Sequence, residues 1–164
     1  VSVRSRRPRD DAAIAALNDA AFGGSYELRL IGDLRAAGLA AIELVAARDE
    51  TIVGHILFSV LVLTVEQRDV RALALAPMAV APACQRRGIG SSLVRAGLDE
   101  ARRQAWQAVI VLGHPNFYPR FGFTPDLAAK LEAPFHGESF MALEFAAGTL
   151  AGRGRVVYPP AFGL

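Results

Sequence analysis

The spacing of apolar residues changes along the chain, and each change predicts a new element. Ile14, Leu17 and Ala21 recur at helical spacing behind Asp10 and Asp11, either of which can cap a helix start. Phe22-Gly23-Gly24-Ser25 ends that pattern, and Ser25 can cap a second helix. This helix carries Glu27 near its start, Leu30, Ile31 and Leu34 on one face, and Gly38 at its close. Ahead of both, Ser2 to Arg7 reads as a short first strand. From Ile42 onward the pattern is that of strands: Ile42 to Arg48, a turn at Asp49-Glu50, then a long strand from Ile52 to Glu66 rich in Val, Ile, Leu and Phe. Gly54 inside this strand predicts a bulge or a close backbone approach.

After the polar stretch Gln67 to Asp69, Ala72 to Val80 forms another strand, in which Pro77 predicts a distortion. Ala81 to Gly90 is a loop. Ser91 to Arg103 returns to helical spacing, with Leu93, Val94, Leu98 and Ala101 inward and Arg95, Asp99, Glu100, Arg102 and Arg103 outward. Gln107 to Leu112 is a strand with an apolar centre, as expected where both faces are covered. Asn116 to Arg120 is a short turn or helix, Phe121 to Thr124 a brief strand, and Phe140 to Phe145 a final strand. Gly148 to Leu164 is an irregular Gly- and Pro-rich tail. The order predicts one mixed α/β domain over residues 1–164, with hairpin-linked strands first and a strand–helix–strand crossover after them.

Composition narrows the function classes. The chain has 164 residues, 52% hydrophobic and 21% charged, which suits one globular domain. A net charge of +2 without a long basic block argues against nucleic acid, and Arg4, Arg6, Arg7 and Arg9 beside Asp10 and Asp11 read as a solvated edge. Cys84 is the one cysteine, so no intramolecular disulfide forms, and no Cys/His cluster has the spacing of a metal site. The longest apolar run, Ile56 to Val65, is broken by Ser59 and Thr64 and is too short for a bilayer. A cytoplasmic protein without membrane contact is expected, and a homodimer is left open.

The most informative segment runs from Met78 to Leu93 and joins a strand to a helix. A helix N-terminus presents unpaired amides and the positive end of its dipole, which favours an anion. Gly88 and Gly90 let the backbone curl around an oxyanion, Arg86 and Arg87 add charge, and Ser91 and Ser92 add hydroxyl donors. The set suits a pyrophosphate. Gly-x-Gly alone also fits a tight turn whose glycines serve only packing. No Gly-Lys-Ser/Thr follows, so this is not a nucleotide P-loop, and the dinucleotide fingerprint is incomplete.

Gln85-Arg86-Arg87-Gly88-Ile89-Gly90 after Ala-Val-x-Pro and before an amphipathic helix resembles the acetyl-coenzyme A site of the GNAT N-acetyltransferases. Tyr118-Pro119-Arg120-Phe121-Gly122-Phe123 is similar to that family's Tyr-x-x-x-Gly-Phe. Val53-Gly54-His55 with Ser59, and Leu112 to Pro115, resemble its YhbS-like branch. The resemblance spans nearly the whole chain. It implies a GNAT-like mixed, mostly antiparallel sheet flanked by helices, with acetyl-CoA as cosubstrate and an amine on a small molecule or peptide as acceptor. It also implies that amides from Arg86 to Ser91, Ile89 and Gly90 included, cradle the pyrophosphate. Met78, Ala79 and Val80 would pair with the pantetheine arm, which requires this strand to splay from Val109 to Leu112. The family's asparagine several residues ahead of the tyrosine has no counterpart, because Asn116 lies only two residues before Tyr118.

Acetyl transfer needs a neutral amine, a stabilised oxyanion and a proton for the departing thiolate. Tyr118, a phenol with an ordinary pKa of about 10, is the candidate proton donor, since the resemblance places it where the family often keeps its general acid. A packing tyrosine beside Pro119 is the other reading, and the resemblance also implies the Val80 amide as donor to the thioester carbonyl. Glu27 is the candidate base, acting through water; a carboxylate that merely favours a helix start is the other reading. His55 in so apolar a strand reads as a buried, hydrogen-bonded residue, while His114 follows the strand that faces the cofactor. Cys84 has no His/Asp arrangement around it that points to an acyl-cysteine. A non-catalytic acyl-CoA sensor or an interaction domain of the same fold is the alternative.

Overall fold

The computed structural model describes residues 1–164. Its elements are β1 (Ser2–Ser5), α1 (Asp11–Phe22), α2 (Tyr26–Ala36), β2 (Ala40–Arg48), β3 (Thr51–Val65), β4 (Arg68–Val80), α3 (Ile89–Arg103), β5 (Ala108–Leu112), α4 (Pro125–Ala128), β6 (Leu131–Glu132), β7 (Phe140–Glu144) and β8 (Gly154–Val157). Hydrogen-bonded neighbours run in the order β1-β2-β3-β4-β5-β7, with β8 joined to β3 and β6. Pairing is antiparallel at β1/β2, β2/β3, β3/β8 and β5/β7, and parallel at β4/β5 and β6/β8. This is the mixed, mostly antiparallel sheet that the sequence implies.

The chain divides into two units: Val1–Ser59 with Ala76–Glu100, and Val60–Leu75 with Ala101–Leu164. In the first, β3 is the central strand. Its register against β2 slips between Ala46 and Ala47, so Gly54 faces Ala46 while Ile52 faces Ala47, and Val53 is the extra residue. A Cβ on Gly54 would lie 2.9 Å from Leu93 Cδ1 and 3.0 Å from Ile89 Cγ2. The glycine therefore serves both expected purposes, bulge and close approach: it seats the first turn of α3 directly on the strand. Phe58, four residues on and on the same face, meets α3 again at Gly97. His55, on the opposite face, reaches Asn18 of α1, so α1 and α3 cover opposite faces of β3.

The two helical glycines Gly32 and Gly97 should respond in opposite ways to alanine. Nothing lies within 4 Å of a Cβ on Gly32, whereas one on Gly97 would run into the ring of the fully buried Phe58. Gly32→Ala should stabilise the protein by about 0.5–1 kcal/mol through helix propensity. Gly97→Ala should destabilise it by about 1–2 kcal/mol, because overpacking outweighs the same propensity gain. Urea unfolding of the two variants measures both signs.

In the second unit, β5 is buried from Ala108 to Val111, as its uniform apolar centre predicts. Three expectations need correction here. Phe121 to Thr124 is not a strand: Tyr118–Phe121 is a 3-10 turn, and only Thr124 makes a bridge, to Ala142. The tail is not irregular, since Gly154–Val157 forms β8 against Val62–Val65. β4 begins at Arg68 rather than Ala72, because the preceding turn is tight, with Glu66 and Gln67 both at positive φ. In the first unit, Asp10 and Ser25 do occupy the N-cap positions of α1 and α2, but neither side chain caps. The Asp10 carboxylate instead takes two bonds from Arg4 and one from the Arg7 amide.

Candidate active site

The strand–loop–helix turn is built between two buried anchors. Cys84 and Ile89 point inward, while Gln85 to Gly88 are exposed. The Ala81 amide donates to the Val53 carbonyl at 2.9 Å, fixing the loop's start on the bulge of β3. Gln85 folds back so that its Nε2 donates to the Val80 carbonyl (3.2 Å), closing the loop on the end of β4. Arg48 donates to Cys84 Sγ (3.0 Å), which gives the thiol a structural partner.

Arg86 and Gly88 both take left-handed conformations, φ 64° and 83°. Left-handed residues in such a loop are a feature of the backbone nests that bind anions. A Cβ built on Gly88 would meet no atom within 4 Å. The glycine is therefore not required by packing, and the space beside it is open. The Ser92 amide makes a helical bond to the Gly88 carbonyl (3.0 Å), so the amides of Ile89, Gly90 and Ser91 lie ahead of it in the first turn of α3. No acidic residue stands in that turn, and Arg102 and Arg103 complement the dipole at the other end. The arrangement can hold a diphosphate.

The β4/β5 ladder joins Ala72–Ala74 to Ala108–Ile110. β4 runs on past it to Val80, with Ala76, Met78 and Val80 half-buried and alternating with the buried Leu75, Pro77 and Ala79. The Ala76–Pro77 peptide is cis, which is the distortion expected at Pro77.

Tyr118 lies in the second unit, and its motif acquires a physical reason. The ring packs on the backbone of Gly113, where any Cβ would collide with it. Gly122, at φ 104°, ends the 3-10 turn and lets Phe123 turn inward, fully buried and edge-on to Tyr118 at 5.7 Å. Tyr118 is 7% exposed, and burial pushes its phenol up to about 12. His114 is exposed, and its carbonyl accepts the Phe117 and Tyr118 amides.

Glu27 sits half-exposed in the first turn of α2, beside Tyr26, whose phenol is raised by burial and by the Glu27 charge. Glu27 and the loop belong to the first unit and Tyr118 to the second. Glu43 on β2 is a further charged group in this unit. Its carboxylate accepts from Arg35 (2.6 and 3.1 Å) and lies 2.7 Å from His55 Nε2. Burial opposes its charge, but the bonds from His55 and Arg35 outweigh burial and hold it down at about 2. The signal was a lone acid in the apolar run Ala40 to Ala47. His55 is fully buried and hydrogen-bonded, as its strand context implied.

A long central hairpin and a parallel strand–loop–helix crossover, with a glycine-bearing loop at the helix start, are the fold of the acyltransferase class to which the comparisons assign the chain. The acetyltransferase (GNAT) domain signature matches residues 41–125, and the chain belongs to this family. YjhQ of Escherichia coli strain K12, named an N-acetyltransferase, is 38% identical over 118 residues, which are 71% of this chain and 65% of YjhQ, so the match spans just under two thirds of that relative. YhbS of the same strain, also named an N-acetyltransferase, is 36% identical over 77% of this chain and 74% of its own length. The crystal structure of E. coli YhbS in complex with CoA aligns with a TM-score of 0.89 at 32% identity, covering 99% of this chain and 92% of that one. A GNAT family acetyltransferase from Brucella melitensis, solved in complex with acetyl-CoA, aligns at 0.81 and 32% identity, covering 98% and 97%.

Proposed function

We propose that residues 1–164 serve one activity, the acetyl-CoA-dependent acetylation of an amine. The observation that carries this reading is the nest at Arg86 and Gly88, open beside Gly88 and backed by the first amides of α3. Amides from Arg86 to Ser91 bind the pyrophosphate, with the Arg86 and Arg87 side chains adding charge. Met78, Ala79 and Val80 bind the pantetheine arm as a peptide adds to a strand edge, and the β4/β5 ladder that ends at Ala74 supports this. Gln85 opens the cofactor-binding loop and holds it closed through its bond to the Val80 carbonyl. The relatives solved with CoA and acetyl-CoA support the same cosubstrate.

In the reaction, the neutral amine attacks the thioester carbonyl and forms the C–N bond while the Val80 amide stabilises the oxyanion. Glu27 receives the amine proton through water. As the C–S bond breaks, Tyr118 gives its proton to the departing thiolate. A phenol pushed up to about 12 stays protonated across the working range of an enzyme, so the donor form is always present. No helix is long and apolar enough to cross a membrane. We place the activity in the cytoplasm, where acetyl-CoA is made and used.

Tyr118→Phe keeps the ring and removes the proton. Its kcat should fall by about 10²-fold, within the usual range for losing a general acid, with acetyl-CoA affinity unchanged. The wild-type kcat profile should show no alkaline fall from this group between pH 7 and 9. Thiol release with a panel of amines measures both. An unchanged kcat in Tyr118→Phe would remove the tyrosine from the chemistry.

A further inference from the structure

A line of polar side chains runs from the surface into the interior of the first unit. Arg6 pairs with Asp11 (2.6 Å), Asp11 with Arg35 (3.4 Å) and Arg35 with Glu43 (2.6 Å). Glu43 bonds His55 Nε2 (2.7 Å), and His55 Nδ1 meets Asn18 Nδ2 (3.3 Å). Asn18 Nδ2 also donates to the Ile14 carbonyl at 2.9 Å. His55 and Asn18 are 0% and 1% exposed. The groups bonded along this line are Glu43 from β2 and the Asn18 amide from α1 at His55 itself, Arg35 from α2 behind Glu43, and Asp11 beyond Arg35.

The partners fix the hydrogens. The Ile14 carbonyl can only accept, so the Asn18 nitrogen faces it and sends its second hydrogen to His55 Nδ1. Nδ1 is then an acceptor and carries no hydrogen. The Glu43 carboxylate can only accept, so the imidazole hydrogen is on Nε2. This orientation leaves Asn18 Oδ1 buried with no partner. A second proton on His55 would have to enter at Nδ1, opposite an N–H. It would be accommodated by turning the Asn18 amide over, which brings Oδ1 to Nδ1–H and withdraws Nδ2 from Ile14. The orphan oxygen is the acceptor for that alternative state.

Asn18 lies in α1 one turn before its left-handed end at Gly23, whose amide donates to the Asp19 carbonyl (2.8 Å). Beyond Gly23 come Ser25, Tyr26 and Glu27. We propose that His55 is a positioning residue: as an Nε2–H imidazole with a bare Nδ1 it holds Asn18, and through Asn18 the α1–α2 turn that carries Glu27. Only the catalytic consequence rests on the acetyl-transfer reading above; the tautomer and the hold on α1 do not.

The test uses the full chain labelled with 15N. Two-bond proton–nitrogen spectra of the imidazoles, with His55→Gln to identify the signal among the three histidines, should show His55 protonated at Nε2 and bare at Nδ1 at pH 7.5. An Nδ1–H tautomer or a doubly protonated ring would overturn the proposal. Asn18→Asp presents only acceptors to Nδ1 and should place a hydrogen on that nitrogen; an Nδ1 that stays bare in this variant overturns the proposal. Asn18→Leu should raise amide hydrogen exchange from Asp19 to Glu27 at least tenfold, while exchange from Leu93 to Ala101 in α3 stays within twofold of wild type. An equal rise in both segments would mean a purely structural role and would sink the proposal. If wild type shows no thermal shift with acetyl-CoA, the acetyl-transfer reading fails, and the spectra and exchange rates still decide this one.

Discussion

Glu43→Ala should lower the unfolding free energy by about 3–5 kcal/mol, the usual cost of removing one partner from a buried ion pair. The Glu43 side chain is 6% exposed and serves two donors. Arg35 is 21% exposed and keeps Asp11 at 3.4 Å, so it retains a partner and some water. His55, fully buried, is left with an Nε2–H that faces a cavity. The loss falls mainly on the histidine, and Glu43→Gln, which keeps one acceptor oxygen, should cost roughly half as much. Acid titration checks the same group independently. The folded-state carboxylate is held at about 2, below the ordinary value of about 4.3 in an unfolded chain. Its contribution is therefore complete above pH 4.3 and is lost as the pH falls from there through 2; by linkage it is worth about 3 kcal/mol. Asp10 and Asp11 are also held low, first by their bonds from Arg4 and Arg6, so wild type loses stability in acid from all three. The signature of Glu43 is the difference between the curves: the gap between wild type and Glu43→Ala should narrow between pH 4.3 and 2. A gap that stays constant would mean that Glu43 does not carry the charge assigned to it.

What the sequence revealed and what it hid follow from how each feature is encoded. The nest was legible because a helix N-terminus, two glycines and two arginines are local: six consecutive residues specify the backbone and its charge. Tyr118 was legible through its spacing to Gly122 and Phe123, and the structure shows why that spacing holds, since the ring needs Gly113 beneath it and Phe123 beside it. β8 was hidden because a four-residue strand with only Val156 buried has no hydrophobic pattern to read, and its existence depends on β3 lying alongside. The brief strand expected at Phe121 failed for the converse reason. Phe121 is half-buried and Phe123 buried, but through aromatic contacts around a 3-10 turn rather than by a ladder. The Glu43–His55–Asn18 line was the hardest part. His55 alone suggested a buried histidine with a partner, but its partners lie 12 and 37 residues away on different elements. Only the pairing of β2 with β3 and the docking of α1 bring them together.

Gly88→Val should weaken acetyl-CoA binding by about a thousandfold while the protein still folds. Two effects of the substitution must be separated. At φ 83° any side chain is strained, which costs about 1–2 kcal/mol and more when β-branched. That cost acts on folding and would be paid without any ligand. The second effect acts only on the complex. No protein atom lies within 4 Å of the new Cβ, so the valine extends into the open side of the nest, where the diphosphate oxygens are proposed to sit. Losing two charge-assisted bonds of about 1.5–3 kcal/mol each accounts for the thousandfold change. Gly38→Val is the control, since Gly38 has φ 72° and equally open surroundings but ends α2, away from the loop. Both variants should unfold at a lower temperature than wild type. Acetyl-CoA at a hundred times the wild-type Kd adds about 2.7 kcal/mol, roughly 5–10 °C for a chain of this size. That rise should survive in Gly38→Val and vanish in Gly88→Val. If Gly88→Val kept the full rise, the ligand would not sit on this nest, and the pyrophosphate assignment from Arg86 to Ser91 would fall with it. A rise lost in both variants would instead trace the effect to backbone strain and not to the occupied space.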